Sequence, residues 1–309
     1  MTIFLDTNVL PRQRVVKNVI ISTILRVAKA KGIAVAIPSI VLDESLSQRR
    51  QMATSTVESL SAAISAMSKL TDLDPIYIPG IEEIVADWEG QLRDAFQVIP
   101  VTGDDATEAL QREALRKKPA KTDGTGARDA AIWLTVKRSH CSSPGDQTHF
   151  VSDNWRDFAA SDKKSLHPDL AAEMSTGSQF HYHRKLEDLL SVLAVRRSID
   201  VVPDLFGAEI RDDILSQVHA LDDNMEIEWA GVAEGDVLDE HLTIEGSGEF
   251  SGYEVGESVV CYVKMNSVVE FSYESTTAHV PLEIGCWIQC DRSVANVAEI
   301  SVERFSIKP

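Results

Sequence analysis

The chain has 309 residues, of which 44% are hydrophobic and 25% are charged, with 16 glycines and 11 prolines. These values exclude a collagen-like or low-complexity chain, and the length suits two domains better than one. The net charge of -18 is unevenly spread: residues 1–204 carry 27 acidic and 25 basic side chains, whereas residues 205–309 carry 21 and 5. The sequence therefore predicts two domains, 1–204 and 205–309, of which only the second is strongly anionic.

Short apolar runs alternate with helix-like segments in the first of these regions. Ile3–Leu5 and Ile33–Ile37 are typical of buried strands, and the segment between them places apolar residues at helical spacing. This alternation predicts an α/β fold, a mainly parallel sheet sandwiched between helices on both faces. The other predicted strands are Phe96–Val101, Thr148–Ser152 and Gln179–Tyr182, and the predicted helices are Val15–Lys31, a long helix from Ser39, 82–95, 103–117, Ala127–Arg138 and one through Leu186–Leu193.

The pattern changes near residue 205. One helix, Leu205–Ala220, precedes segments in which apolar and polar residues alternate, as in Val259, Cys261 and Val263. Such alternation is typical of strands with one buried face, so this region is predicted to be an antiparallel β-rich (α+β) domain. Its predicted strands are Met225–Val232, Leu238–Glu245, Glu257–Phe271, His279–Ile288 and Val294–Ile307.

Four acidic residues stand where an α/β fold places its functional sites. Asp6 and Asp153 each follow a predicted strand, and the carboxyl ends of parallel strands meet at one edge of the sheet. Glu44 and Asp129 lie near the starts of two helices, and Asp129 borders the apolar run Ala130–Leu134. Burial of an unpaired carboxylate is costly, so a basic neighbour or a metal ion must offset its charge.

The segments around these acids resemble the four motifs of PIN-domain nucleases, in the same order and on the expected elements. The resemblance covers residues 1–195 and is closest to a larger bacterial PIN-like subfamily, in which a lysine and glycines precede the third acid, as Lys121 and Gly124–Gly126 do here. About 85 residues separate Glu44 from Asp129, more than in compact toxin-type PIN proteins. The four segments are Ile3–Leu10, Pro38–Glu44, Gly126–Trp133 and Phe150–Phe158.

This resemblance implies a metal-dependent nuclease that leaves 5′-phosphate and 3′-hydroxyl ends. Mg²⁺ or Mn²⁺ would neutralise the phosphate and activate water, and both ions prefer oxygen ligands. Asp6, Asp129 and Asp153 are the implied metal ligands, with Glu44 acting through water. Asp157 is instead expected to cap the following turn. Further residues expected to orient the ligands or bind substrate are Thr7, Asn8, Lys121, Arg128, Ser152, Asn154 and Arg156.

Basic residues flank each acidic motif, in a pattern that suits a groove following a phosphate backbone. Trp155 stands among them and is predicted either to stack on a base or to pack internally. The same cations also suit solvated helix faces, which is the alternative interpretation. The set comprises Arg12, Arg14, Lys17, Arg49, Arg50, Lys117, Lys118, Lys121, Arg128, Arg156, Lys163 and Lys164.

The leading functional hypothesis is an endoribonuclease of a toxin or defence type. Its substrate is RNA, with DNA as the second candidate, and an antitoxin or defence-system protein would restrain it. The main alternative is a degenerate PIN module that binds RNA or acts as a scaffold without catalysis. A phosphatase with an aspartate nucleophile is disfavoured, because Asn8 stands where its second acid belongs. The acidic 205–309 region is interpreted as a solubility feature or as a nucleic-acid mimic that damps activity.

Localisation is predicted to be cytoplasmic, without a membrane partner. No apolar run reaches the length of a membrane span, and the first residues enter a strand-like run without a basic leader. Four cysteines at scattered positions are too few for a disulfide framework.

Overall fold

The computed structural model describes residues 1–11, 18–143, 145–174, 177–222, 226–231, 237–246, 248–273 and 276–308. Within these ranges the chain divides into two compact units. The first comprises the described residues of Met1–Val15 and Ala28–Leu189, and the second those of Val16–Val27 and Leu190–Pro309. The candidate substrate residues Arg12, Arg14 and Lys17, and the start of the predicted helix Val15–Lys31, lie outside the described residues.

A parallel sheet forms the centre of the first unit. Its order is β3-β2-β1-β4-β5, and each described pair of neighbouring strands is parallel. In β1 the side chains of Ile3, Phe4 and Leu5 are all buried, so both faces of the sheet are covered. The predicted α/β sandwich is confirmed. The strands are β1 Thr2–Leu5, β2 Ala34–Pro38, β3 Gln97–Ile99, β4 Thr148–Val151 and β5 Phe180–His183.

Helices connect these strands close to where the apolar spacing predicts them. The longest, α2, has 29 residues, and its fully buried side chains all lie in its first half, ending with Ala53. Helix α5 begins after Gly126, whose φ of 114° is a left-handed conformation that favours glycine. The helices are α1 Val19–Lys31, α2 Ser39–Met67, α3 Ile81–Ala95, α4 Gly103–Leu115, α5 Ala127–Cys141, α6 Trp155–Phe158, α7 Pro168–Ala171 and α8 Leu186–Leu193.

The second unit is built on an antiparallel sheet, as predicted for this region. Its order is β11-β10-β9-β8-β6, and β7 also pairs with β9. Apolar residues of the long strands β9 and β10 form a core with helix α9, through Ile214 and Val218 among others. The elements are β6 Val195–Val201, α9 Ala208–Leu221, α10 Glu226–Gly231, β7 Asp239–Glu245, β8 Gly248–Val255, β9 Ser258–Ser272, β10 Thr277–Asp291 and β11 Val297–Ile307.

The predicted strand Met225–Val232 is wrong, because its described part is the helix α10. The side chain of Asp222 explains this difference. It accepts hydrogen bonds from the backbone N–H groups of Glu226 and Ile227, both at 2.8 Å. A carboxylate that satisfies the free N–H groups of a first turn stabilises a helix start, and this outweighs the strand-like composition.

Strands β6 and β8 were not predicted. Charged residues interrupt the apolar pattern of β6, although Ile199 and Val201 are buried. Glycines break the pattern of β8, and at Gly252 a Cβ would lie 3.0 Å from a methyl group of Val259. Because β6 pairs with β8, the chain passes from the first unit to the second at Leu189–Leu190, earlier than the boundary expected at 204.

Two further features concern the cysteines and the apolarity of the helices. The four cysteines are free, and Cys286 and Cys290 are buried on a strand, as expected for core residues. In the described part of the chain, none of the helices combines the length and apolarity that a membrane crossing requires.

Candidate functional site

Asp6 follows β1 at the edge of the sheet, where β4 also ends. Its backbone N–H donates to the carbonyl of Val151 at 3.0 Å, which ties the two strand ends together. The side chain is only 3% exposed and accepts hydrogen bonds from Thr7 N at 2.7 Å, Asn8 Nδ2 at 2.9 Å and Ser152 Oγ. Burial nevertheless raises the pKa of Asp6 to about 6.

Asn8 and Ser152 connect the loops that follow β1 and β4. Asn8 Nδ2 lies 3.3 Å from Ser152 Oγ, and Asn8 Oδ1 accepts a hydrogen bond from the backbone N–H of Asp153 at 2.9 Å. Ser152 Oγ in turn accepts from the backbone N–H of Asn154 at 3.1 Å. These predicted supporting residues therefore hold the carboxylate of Asp6 in one orientation.

Asp129 lies in the first turn of α5 and is held by the loop after β4. Asn154 Nδ2 donates to Asp129 Oδ1 at 3.1 Å. Burial, followed by the negative charges of Asp6 and Asp157, raises the pKa of Asp129 to about 6. Asp129 therefore lies close enough to Asp6 and to Asp157 for its charge to interact with each of theirs, and we refer to these three residues as the acid cluster.

Glu44, the helix-borne acid of the second motif, faces the same region. It accepts a hydrogen bond from Thr7 Oγ1 at 2.9 Å and forms an ion pair with Arg128 at 2.7 Å. Its charge contributes to the raised pKa of Asp6, whereas the neighbouring Asp43 is exposed. Glu44, rather than Asp43, is thus the acid of this helix that contacts Thr7 beside Asp6.

Asp153, which is predicted as a metal ligand, contacts a basic residue in the structure. Its side chain is 51% exposed and forms an ion pair with Arg184 at 2.8 Å. Asp157 occupies the buried position instead, inside α6 rather than at its N-cap as expected. Asp157 Oδ2 is buried and has no hydrogen-bond partner, and its nearest cations, Lys118 and Lys121, lie 4.0 Å from the carboxylate. One feature of the sequence could have indicated the burial of Asp157, because this residue directly precedes the apolar Phe158.

A PIN-domain family model matches residues 3–158, half of the chain. The chain belongs to the PIN-domain family. This match covers all four acidic segments, and PIN domains are in general nucleases that act on nucleic acids, typically with divalent metals. Searches of curated proteins and of solved structures give no significant match.

The donor chemistry of this PIN domain fits a hard divalent cation. The acid cluster offers only carboxylate oxygens, one of them buried without a partner, and two of its members have raised pKa values. A bound cation would offset both the burial of these carboxylates, which is the main cause of the raised pKa values, and the smaller effect of neighbouring negative charges. Among the described residues, however, no three His, Cys, Asp or Glu side chains converge closely enough to hold a metal ion. The site therefore has the charge and the ligand type for a metal, without a formed three-ligand arrangement.

The predicted cations separate into two groups. Lys118, Lys121 and Arg128 approach the acids of the site. By contrast, Arg49 lies over the ring of Trp88, Arg50 pairs with Glu82 and Lys117 with Glu173, so these three contribute to contacts elsewhere in the unit. Fewer of the predicted cations therefore contact the acids of the site than the sequence suggested.

Replacing Asp129 by asparagine should stabilise the fold at pH 8. The native pKa of about 6 exceeds the ordinary 3.8, so the folded protein takes up a proton as pH falls through 6 and gains stability. Above pH 6 the buried charge costs up to about 3 kcal/mol, which the amide avoids, whereas below pH 4 no gain should remain. Urea unfolding with EDTA at pH 8 and pH 4 measures the difference.

Asp162→Asn is the contrasting variant. Hydrogen bonds from Ser165 and Lys164 lower the pKa of Asp162 to about 2, so its charge should favour folding at pH 8. A stability gain for both variants, or a gain for Asp129→Asn that persists at pH 4, would contradict the assigned burial cost.

Proposed function

We propose that this protein is a metal-dependent nuclease, and specifically an endoribonuclease that uses Mg²⁺ or Mn²⁺. The observation that carries the proposal is the buried acid cluster, in which burial and neighbouring carboxylates raise the pKa values of Asp6 and Asp129. Asp6, Asp129 and Asp157 would hold the metal, and Glu44 would act through water. Asp153 was assigned a ligand role from the sequence, but its ion pair with Arg184 favours a role outside the metal site.

The protein's own residues supply the orientation that such chemistry needs. Thr7, Asn8 and Ser152 fix the carboxylate of Asp6, and Asn154 fixes that of Asp129. A bound divalent cation would neutralise charge on a phosphodiester and lower the pKa of water. Glu44, already hydrogen-bonded to Thr7, is placed to orient a water molecule. Lys121 and Arg128 are side chains that would meet the substrate phosphate.

The proposal extends to the products and to regulation. As the family resemblance implies, hydrolysis would leave 5′-phosphate and 3′-hydroxyl ends. The substrate would be RNA, with DNA as the second candidate. A toxin-like or defence-like use, with a protein partner that restrains the nuclease, follows from the same resemblance.

Cleavage should depend on added divalent metal. Purified protein incubated with 5′-labelled single-stranded RNA and Mn²⁺ should produce fragments, EDTA should stop the reaction, and Mn²⁺ in excess of EDTA should restore it. The 3′-hydroxyl ends are checked by extension with poly(A) polymerase, which a 3′-phosphate blocks. A matched DNA strand in the same assay decides between the two substrates. Cleavage that continues in EDTA would overturn the metal-dependent mechanism.

One observation favours a second function, a PIN module that binds nucleic acid without cleaving it. Among the described residues the carboxylates do not form a three-ligand group, as a degenerate site also would not. This alternative is supported if calorimetry detects Mn²⁺ binding and RNA binds tightly while neither RNA nor DNA is cut.

A further inference from the structure

Three cations surround the indole ring of Trp155. Lys163 Nζ lies 4.3 Å from the ring centroid, and the guanidinium carbons of Arg156 and Arg184 lie 5.5 and 5.9 Å from it. The negative face of an aromatic ring attracts cations at such distances. Trp155 is therefore the centre of a basic group rather than an ordinary packing residue, and we call these four residues the tryptophan platform.

The backbone of Lys163 is held in a strained conformation. Its φ of 59° is in the left-handed region, which side chains other than glycine and asparagine seldom adopt. The turn around it is well supported: Lys163 N donates to the carbonyl of Ala160 at 3.0 Å, and Asp162 Oδ1 accepts from the N–H groups of Lys164 and Ser165. A lysine kept in a position suited to glycine indicates that its side chain has a use.

Nearby acids balance only part of this charge. Arg184 forms an ion pair with Asp153. Among the described residues, Lys163 and Arg156 contact the ring of Trp155 and form no ion pair with a carboxylate. The platform thus carries excess positive charge. A polyanion would bind there, and the phosphate of an approaching strand can compete with the half-exposed Asp153 for Arg184.

The platform is joined directly to the acid cluster. Trp155 and Asp157 belong to the same short helix, α6, and the preceding Asn154 holds Asp129 at 3.1 Å. A nuclease whose reaction centre is anionic must gain its affinity for the phosphate backbone from cations beside that centre. Fixed cations next to the acids meet this need.

We propose that the tryptophan platform binds backbone phosphates of the nucleic-acid strand adjacent to the phosphate that is cleaved. This inference rests on the proposed nuclease function and adds to it the path of the strand, on the side of the acid cluster that follows β4. Contacts of this kind position a strand without reading its sequence.

The test measures the binding of a fluorescein-labelled single-stranded RNA of 20 nucleotides by fluorescence anisotropy. EDTA is present so that cleavage does not interfere. Lys163→Gly should weaken binding about three- to tenfold in 50 mM salt and make the slope of log K against log salt shallower by about 0.7. The variant should fold, because glycine relieves the left-handed strain.

Arg116→Gly is the matched control, since Arg116 is also a cation at positive φ, 54°, but caps the end of α4. Its RNA affinity should stay within twofold of the unmodified protein. If RNA binds and Lys163→Gly binds as tightly as the control, the platform proposal fails while the nuclease proposal stands. If the unmodified protein binds neither RNA nor DNA in EDTA and cleaves neither with Mn²⁺, the proposed function fails with it.

Discussion

Replacing Asp6 by asparagine is expected to lower the rate of RNA cleavage more than about 100-fold. This loss would exceed the one usually caused by replacing a residue that only hydrogen-bonds to a metal ligand. Asp6 is almost fully buried and has three hydrogen-bond donors directed at it. The amide removes the charge that would attract the metal, while its size is unchanged. Single-turnover cleavage with Mn²⁺ measures the effect.

Asp43→Asn is the control for this experiment. Asp43 is exposed on α2 beside Glu44, so the same chemical change there should leave the rate within about twofold. Thermal unfolding of both variants shows whether Asp6→Asn keeps its fold. A folded Asp6→Asn protein that cleaves RNA at the original rate would remove Asp6 from the mechanism.

The second large effect is expected from a comparison of Asp157 with Asp153. Asp157→Asn should reduce cleavage more than about 100-fold, because it removes a buried carboxylate whose charge acts on Asp129. Asp153→Asn should reduce it less than about tenfold, because Asp153 is half-exposed and already paired with Arg184. The two substituted residues lie four positions apart in the segment that follows β4, so each variant is the control for the other.

The measurement is kcat and KM with RNA at several Mn²⁺ concentrations. Asp157→Asn should need much more Mn²⁺ for half-maximal activity, whereas Asp153→Asn should keep the original requirement. The reverse ranking would indicate that Asp153, the acid that the fourth sequence motif suggested, is a metal ligand in place of Asp157.

The elements around the site could be predicted from sequence because their signals are local. Ile3–Leu5 is a continuous apolar segment and the strand ending at Val151 contains Phe150 and Val151, and parallel strands place the residues that follow them at one edge. Asp6 is a candidate for this reason, whereas Glu44 and Asp129 are candidates as acids near the starts of two helices. The choice between Asp153 and Asp157 depends on the direction of the short helix α6 after β4, for which the sequence offers only the weak signal of the apolar Phe158 beside Asp157.

The second unit was harder to predict because its strands depend on distant partners. β6 is recognisable only beside β8, with which it pairs from Val195 opposite Glu254 to Val201 opposite Gly248. Segment 226–231 shows the reverse case, in which one capping carboxylate, Asp222, converts a strand-like composition into a helix.

Helices α1 and α8 each run from one unit into the other, with the divisions after Val27 and after Leu189. No single cut in the gene can therefore excise either unit whole. A fragment ending at residue 204 would keep β6 but delete β8, its partner, and leave Ile199 and Val201 uncovered. Whether the acidic residues beyond 205 damp the nuclease is better examined by neutralising surface carboxylates in the intact chain.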